Sequence, residues 1–228
     1  MTTFDKILWR TNGLLILTVA LIGICGAALI AIKKFRYYTR TREVENIVTV
    51  NPQTQKKEYF TMGNLERTRG TNSYRASLYS KEDIDRSSYS KSSSSVRNTY
   101  IYNHDNRSNE WLFPSNDQII YSESEIYDSL DSNSERKVTA YIVISIEKDS
   151  DSDGKLTNSD LLRIYITGPM DNKRKLIASN LVDISRIYQH SPTEIIFTAK
   201  EGAKDFIYHV ESPSGEIKSK EPITPPAG

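Results

Sequence analysis

Twenty consecutive positions, Gly13 to Ile32, carry no charge, and sixteen of them are hydrophobic. As a helix such a run spans about 30 Å, the thickness of a bilayer's hydrocarbon core, so it predicts one transmembrane helix with the lipid bilayer as its surroundings. Phe4 and Trp9 before it, and Phe35, Tyr37 and Tyr38 after it, stand where amphipathic rings settle at the headgroups. Lys6, Arg10, Lys33, Lys34 and Arg36 close the two ends. A cleaved signal peptide has an apolar region of about 7–15 residues followed by small polar ones, whereas here the apolar run continues to Ile32 and meets Lys33 and Lys34. A lipidated Cys25 fits poorly as well, because Ile24 occupies a position that needs a small residue; Cys25 reads as a small hydrophobe. Gly23, Ala27 and Ala31 recur every four residues, a stripe that lets a second helix approach closely, in a homodimer or against a membrane-protein partner.

Beyond the helix the period changes to that of strands. Ile47–Val50, Lys57–Thr61, Ser73–Tyr79 and Asn98–Tyr102 are short β-branched and aromatic runs, with the serine-rich stretch Ser87–Ser95 as a loop between two of them. Glu110–Phe113 and Gln118–Tyr121 follow, the latter ending at the acidic Ser122–Glu125. Val138–Ile146 is apolar on both faces over nine residues, the pattern of a central strand. Leu161–Thr167, Lys175–Ile177, Ile184–Tyr188, Glu194–Thr198 and Asp205–Val210 come at near-regular intervals, punctuated by Gly-Pro, Asp-Asn, Ser-Pro and Glu-Gly pairs. The organisation expected is a short N-terminal tail (1–12), the transmembrane helix (13–32) and a basic juxtamembrane segment (33–44). A loop-rich β region (45–110), a β domain (111–220) and a proline-rich tail (221–228) complete it.

Strands at this spacing with no convincing helical stretch predict a mainly β fold, an antiparallel β-sandwich or partial propeller-like domain behind the N-terminal transmembrane helix. From Leu161 to Ile217 the rhythm of strand, turn, Lys-Leu-Ile, strand, Ser-Pro, Glu-Ile-Ile-Phe, turn and strand resembles WD40-like propeller repeats of the Tol-associated periplasmic type. That resemblance implies propeller blades, yet about a dozen strands are too few for four blades of four. The whole chain resembles bacterial single-pass membrane proteins with an anchored β domain.

Composition sharpens this picture in three ways. Outside the apolar run about a third of the remaining 208 positions are hydrophobic, lean for a globular core. The formal net charge of +1 hides an asymmetry: seven basic residues and one acid precede Glu43, and 23 basic against 28 acidic residues follow from there. The basic segment Lys33–Arg42 interleaves with tyrosines, which suits lipid headgroups and argues against nucleic acid. One Cys and three widely separated histidines, His104, His190 and His209, exclude a disulfide framework and give no metal triad by local spacing. No phosphate loop, nucleophile elbow or catalytic triad can be named, so the chain reads as non-enzymatic.

One motif carries chemistry. Asp149-Ser-Asp-Ser-Asp-Gly-Lys-Leu-Thr-Asn-Ser-Asp160 has acids at positions 1, 3, 5 and 12, glycine at 6 and a hydrophobe at 8. Calcium takes about six to eight hard oxygens, and this spacing curls three carboxylates around one point. Asp149, Asp151 and Asp153 supply positions 1, 3 and 5, Lys155 its carbonyl at position 7, Thr157 its hydroxyl or a water at position 9, and Asp160 the last ligand. Leu156 turns back to the core. The loop resembles those of EF-hands and, in its closing Asp, of dockerin modules. Its flanks are strand-like, so it is expected to bridge a hairpin and to hold a structural calcium without sensor behaviour. Without the ion, these four acids and Glu147 would repel one another.

Orientation is contested. The basic residues Lys33, Lys34, Arg36, Arg40 and Arg42 outnumber Lys6 and Arg10 and favour a cytoplasmic domain. A single weak calcium loop instead needs millimolar-range calcium, and on that ground the domain is expected in the periplasm, anchored in the inner membrane. The rival expectations are an accessory subunit of a membrane complex and an enzyme whose site assembles from distant residues.

Overall fold

The computed structural model describes residues 48–49, 58–82, 94–131 and 135–224. The expected transmembrane helix with its Gly23/Ala27/Ala31 stripe, the juxtamembrane segment and most of the serine-rich loop lie outside the described residues. Among the described residues no helix is long and apolar enough to cross a membrane. All described strands belong to one compact unit, Val44–Gly228, so the segments 45–110 and 111–220 share a single body.

The strands in chain order are β1 (Val48–Thr49), β2 (Glu58–Met62), β3 (Glu66–Arg67), β4 (Ser73–Glu82), β5 (Ser94–Asn103), β6 (Ser108–Trp111), β7 (Ile119–Tyr127) and β8 (Val138–Ile146). They continue as β9 (Lys155–Leu156), β10 (Leu162–Thr167), β11 (Arg174–Ile184), β12 (Tyr188–Ser191), β13 (Glu194–Glu201), β14 (Lys204–Glu211) and β15 (Glu216–Pro222). The larger sheet has eight strands in the order β15-β14-β13-β11-β10-β8-β7, with β12 paired to β13. A five-stranded sheet runs β2-β4-β5-β6, with β3 on β4, and the short pair β1-β9 stands by itself. Every pairing is antiparallel.

Strand β8 is central, as its two apolar faces predict. It pairs with β7 on one side and β10 on the other. Because successive side chains point to opposite faces, Ala140, Ile142, Ile144 and Ile146 enter one hydrophobic cluster and Tyr141 and Val143 enter another. The first, larger cluster is completed by Leu162, Ile164 and Ile166 of β10, Leu181 of β11, Ile195 and Phe197 of β13, and Tyr208 and Val210 of β14. Phe197 and Tyr208 are directly opposite in register and their rings stack at 4.9 Å. The second cluster joins the sheets: Ile101 of β5 with Leu112 and Phe113 just past β6 meets Ile120, Val138, Tyr141 and Val143.

The structure departs from the expected pattern where burial is unusual. Ser122–Glu125 ends no strand; it lies inside β7, where Glu123 turns toward the five-stranded sheet and finds Arg75 at 2.8 Å. Ser94 and Ser95 begin β5, inside the run expected as loop. Ser185–Ile187 interrupts the strand expected over Ile184–Tyr188, with β11 ending before it and β12 beginning after. Strand β15, which reaches Pro222 in the segment expected as tail, holds one apolar residue besides its proline and is exposed along most of its length, so no hydrophobic pattern marks it. Its three charged residues between Ile217 and Pro222 blunt a sheet edge against further pairing.

Two outcomes follow for stability. Ile142 is fully buried, so Ile142→Ala should cost about 2–5 kcal/mol, read as a lower midpoint in urea unfolding. At the β13–β15 end, partial desolvation of the Glu201 carboxyl raises its pKa, but hydrogen bonds from Lys220 and Tyr208 outweigh it and hold the group below the usual range. A depressed folded pKa adds stability that is present above the unfolded carboxylate range and is lost as pH falls through the folded value. Glu201→Gln should therefore flatten the fall of melting temperature between about pH 5 and pH 3, a shallow effect because the pair is partly solvent-screened.

Candidate calcium loop and polar cleft

The loop between β8 and β10 folds through its own carboxylates. Asp149 accepts N–H bonds from Asp153 at 3.2 Å and from Gly154 at 2.8 Å. Asp151 accepts from the Asp153 N–H and Asp153 from the Lys155 N–H, each two residues on, the way short acidic side chains close turns. Ser152 and Gly154 have φ of 63° and 79°, left-handed conformations that glycine adopts freely at the sharpest bend. This winding brings Asp149, Asp151 and Asp153 together, with one carboxylate oxygen from each inside 4.8 Å of the others. Among the described residues it is the one group of three or more ligating side chains so placed.

The remaining predicted ligands divide. Leu156 is buried in the larger cluster, as expected. Lys155 and Leu156 form β9, paired with Thr49 and Val48. The Thr157 hydroxyl accepts the Ser159 N–H at 3.1 Å. Asp160 is buried, and both its oxygens are engaged: Oδ1 accepts from the Ser150 N–H at 2.5 Å and hydroxyl at 2.9 Å, and Oδ2 from the Thr157 N–H at 2.8 Å. Asp160 thus staples the two halves of the loop and is not gathered with the other three acids. Glu147, expected among the repelling acids, points elsewhere, to the Arg163 guanidinium at 2.9 Å and the hydroxyls of Tyr165 and Ser145.

A hard-cation donor set fits this place. Three converging carboxylates of adjoining turns are what calcium takes from protein. In the Asp151 carboxyl, the Asp153 N–H favours the charged form, but desolvation, the charges of Asp153 and Asp160 and a hydrogen bond with Asp149 outweigh it and raise the pKa. Charge on Asp151 is thus disfavoured in the folded loop without an ion.

The histidines do not converge into a ligating group among the described residues. The His209 Nδ1 meets Glu194 at 2.9 Å, and His104 packs edge-on to Tyr102.

A second feature was not foreseen. Between β3, β4 and β7 lies a cleft of about 790 Å³. Behind it Arg75 is buried, stacked on the Tyr141 ring at 3.9 Å and paired with Glu123, whose other oxygen accepts the Thr99 hydroxyl at 3.0 Å. The Arg75–Glu123 approach has the distance of an ion pair but not the angle of a hydrogen bond, and Arg75 Nε is buried with no partner. Burial pushes the Tyr141 phenol up to about 12 despite the Thr68 hydroxyl and the Arg75 charge, so it stays protonated and can donate to Glu125 Oε1, 3.3 Å away. Tyr127 also donates to Glu125. The alternation Glu123, Glu125, Tyr127 in β7 was the available signal: three polar positions at period two mark one face of a strand. No histidine is among the cleft's lining residues.

No protein family, curated protein sequence or solved structure matches this chain.

The two roles of the loop acids are separable. In chelator at neutral pH, Asp151→Asn should melt at or slightly above the parent, because it removes a disfavoured charge. Asp160→Asn should destabilise by about 1–3 kcal/mol, because the amide cannot accept from both N–H groups; circular-dichroism melts of the two variants check this.

Proposed function

We propose that the chain is a bitopic membrane protein whose β domain carries a structural calcium ion and acts as a binding or envelope-associated module without catalysis of its own. The observation that carries the calcium reading is the convergence of Asp149, Asp151 and Asp153 within 4.8 Å. These three would hold the ion, with Lys155 and Thr157 next in the loop as backbone and hydroxyl donors. Bound calcium supplies positive charge that offsets the mutual repulsion of the acids and ties three turns to one point. Asp160 keeps the loop closed from the inside. The uncharged run Gly13–Ile32 supports the anchor, and the calcium requirement supports a periplasmic domain. One eight-stranded sheet packed on a five-stranded one across a common cluster supports a sandwich-like architecture over separate four-stranded blades.

A second reading, an accessory subunit with a cytoplasmic domain, draws on the basic residues after the helix. It is also favoured by Tyr59, Phe60, Met62 and Leu65, about half exposed on and beside the edge strand β2, where a partner protein would cover them.

Calcium should raise the melting temperature of the full chain relative to chelator, and Asp149→Ala should abolish the rise; identical melts of the parent in calcium and chelator would remove the ion from this account. A C-terminal reporter fusion active only in the periplasm is the expected topology result, and activity only in the cytoplasm would favour the accessory-subunit reading.

A further inference from the structure

The cleft between the sheets is chemically unlike an ordinary apolar pocket. We propose that it binds a polyhydroxylated ligand, a short oligosaccharide, against the tyrosines and carboxylates of β4 and β7. Its volume of about 790 Å³ lies within the range of ligand sites, about 300–1,000 Å³. Such sites are usually walled by hydrophobic side chains, yet Ala76 is the one aliphatic side chain among the fourteen residues lining this one. Beyond Ala76, a lipid or other aliphatic ligand would find apolar surface only on the tyrosine rings, among polar and charged groups.

Charge narrows the class further. The lining holds three carboxylates, Glu66, Glu123 and Glu125, and two guanidinium groups, Arg67 and Arg75. The two cations differ: Arg75 is paired with Glu123 and stacked on the Tyr141 ring, whereas Arg67 donates to neutral acceptors, the Thr71 carbonyl at 3.1 Å and the Asn72 side chain at 3.2 Å. An anion such as phosphate would meet two carboxylates, Glu66 and Glu125, against the single charge of Arg67. A cationic ligand would enter beside the Arg67 guanidinium. A neutral ligand that donates and accepts at alternate positions meets neither penalty.

Hydroxyl groups meet that description, since each donates one hydrogen bond and accepts others. Glu66 of β3 and Glu125 of β7 are exposed carboxylates lining the cleft. Glu125 has two tyrosine hydroxyls as partners and no ion pair among the described residues, which leaves acceptor capacity toward the cleft. The rings of Tyr79 and Tyr127 are half-buried, each an apolar body with a polar tip, and the Arg136 guanidinium lies 4.4 Å from the centre of the Tyr127 ring, covering one of its faces. Rings of that kind cover the C–H faces of a sugar while their hydroxyls meet its O–H groups. The enclosed Arg75–Glu123 pair, costly to bury for stability alone, fixes Glu123 on β7 against β4 and so holds the two walls at their separation.

The test uses the full chain in lipid nanodiscs, because glycoside detergents carry the ligand class themselves, with chelator present to keep the calcium loop out of the measurement. Saturation-transfer NMR and calorimetry with chitotriose and maltotriose should show binding of at least one trisaccharide, with spermidine and sodium phosphate giving none. Glu125→Gln keeps the shape of the wall and removes one charged acceptor, and it should weaken binding about tenfold with an unchanged melting temperature. Tyr79→Ala should weaken it at least as much. Absence of trisaccharide binding at about 10 mM, a weaker interaction than about 3 kcal/mol, overturns the proposal. So does binding of only the amine or the phosphate, or trisaccharide binding that neither substitution alters.

Discussion

Strand β8 divides the interior. With about a third of its positions outside the apolar run hydrophobic, the domain cannot supply two independent cores, and it uses one strand for both. Ala140, Ile142, Ile144 and Ile146 look one way and Tyr141 and Val143 the other. The register follows from that constraint, because a slip of one residue would exchange the two sets. On the larger-cluster side β10, β13 and β14 need only alternate. On the other side the second sheet meets a face that is partly aromatic and partly charged, and the apolar contact gives way to the Arg75–Glu123 pair and the open cleft.

The legible parts of the fold are those where apolar residues alternate or run. Val138–Ile146 matches β8 residue for residue, and β10, β13 and β14 fall close to their expected places; Lys175–Ile177 is only a short part of β11, and Ile184–Tyr188 falls where β11 ends and β12 begins. Strands that owe their existence to pairing were not legible. β15 is polar and exposed, and β3 and β9 are two residues each. Ser122–Glu125 misled because acids and serines mark turns when nothing neutralises them; the neutralising group, Arg75, is 48 residues earlier in the chain. The site was legible to the extent that it is local. Turn chemistry at two-residue spacing brings Asp149, Asp151 and Asp153 together, whereas the commitment of Asp160 to Ser150 and Thr157 and the turning of Glu147 to Arg163 depend on three-dimensional neighbours. The cleft is wholly non-local, with walls from strands on both sides of residue 100.

The loop and the cleft sit on different principles of order. In the loop, backbone N–H groups fix acids that would otherwise repel, and little apolar burial is involved beyond Leu156. In the cleft, buried charge and stacked rings fix a cavity at the join of two sheets. Neither depends on an extended apolar pocket, in keeping with a composition that has few hydrophobic residues to spare.

The pairing of Val48 and Thr49 with Leu156 and Lys155 has a mechanical side. Fifteen residues separate the end of the apolar run at Ile32 from Val48, so in a membrane-anchored chain this two-stranded patch is the first of the described strands to meet a pull from the bilayer. There it meets a loop whose acids, once bridged by an ion, resist being drawn apart, while the long ladders of the eight-stranded sheet lie downstream of the load. The acidic turn would then serve as a buckle on the tether, setting how much force reaches the core.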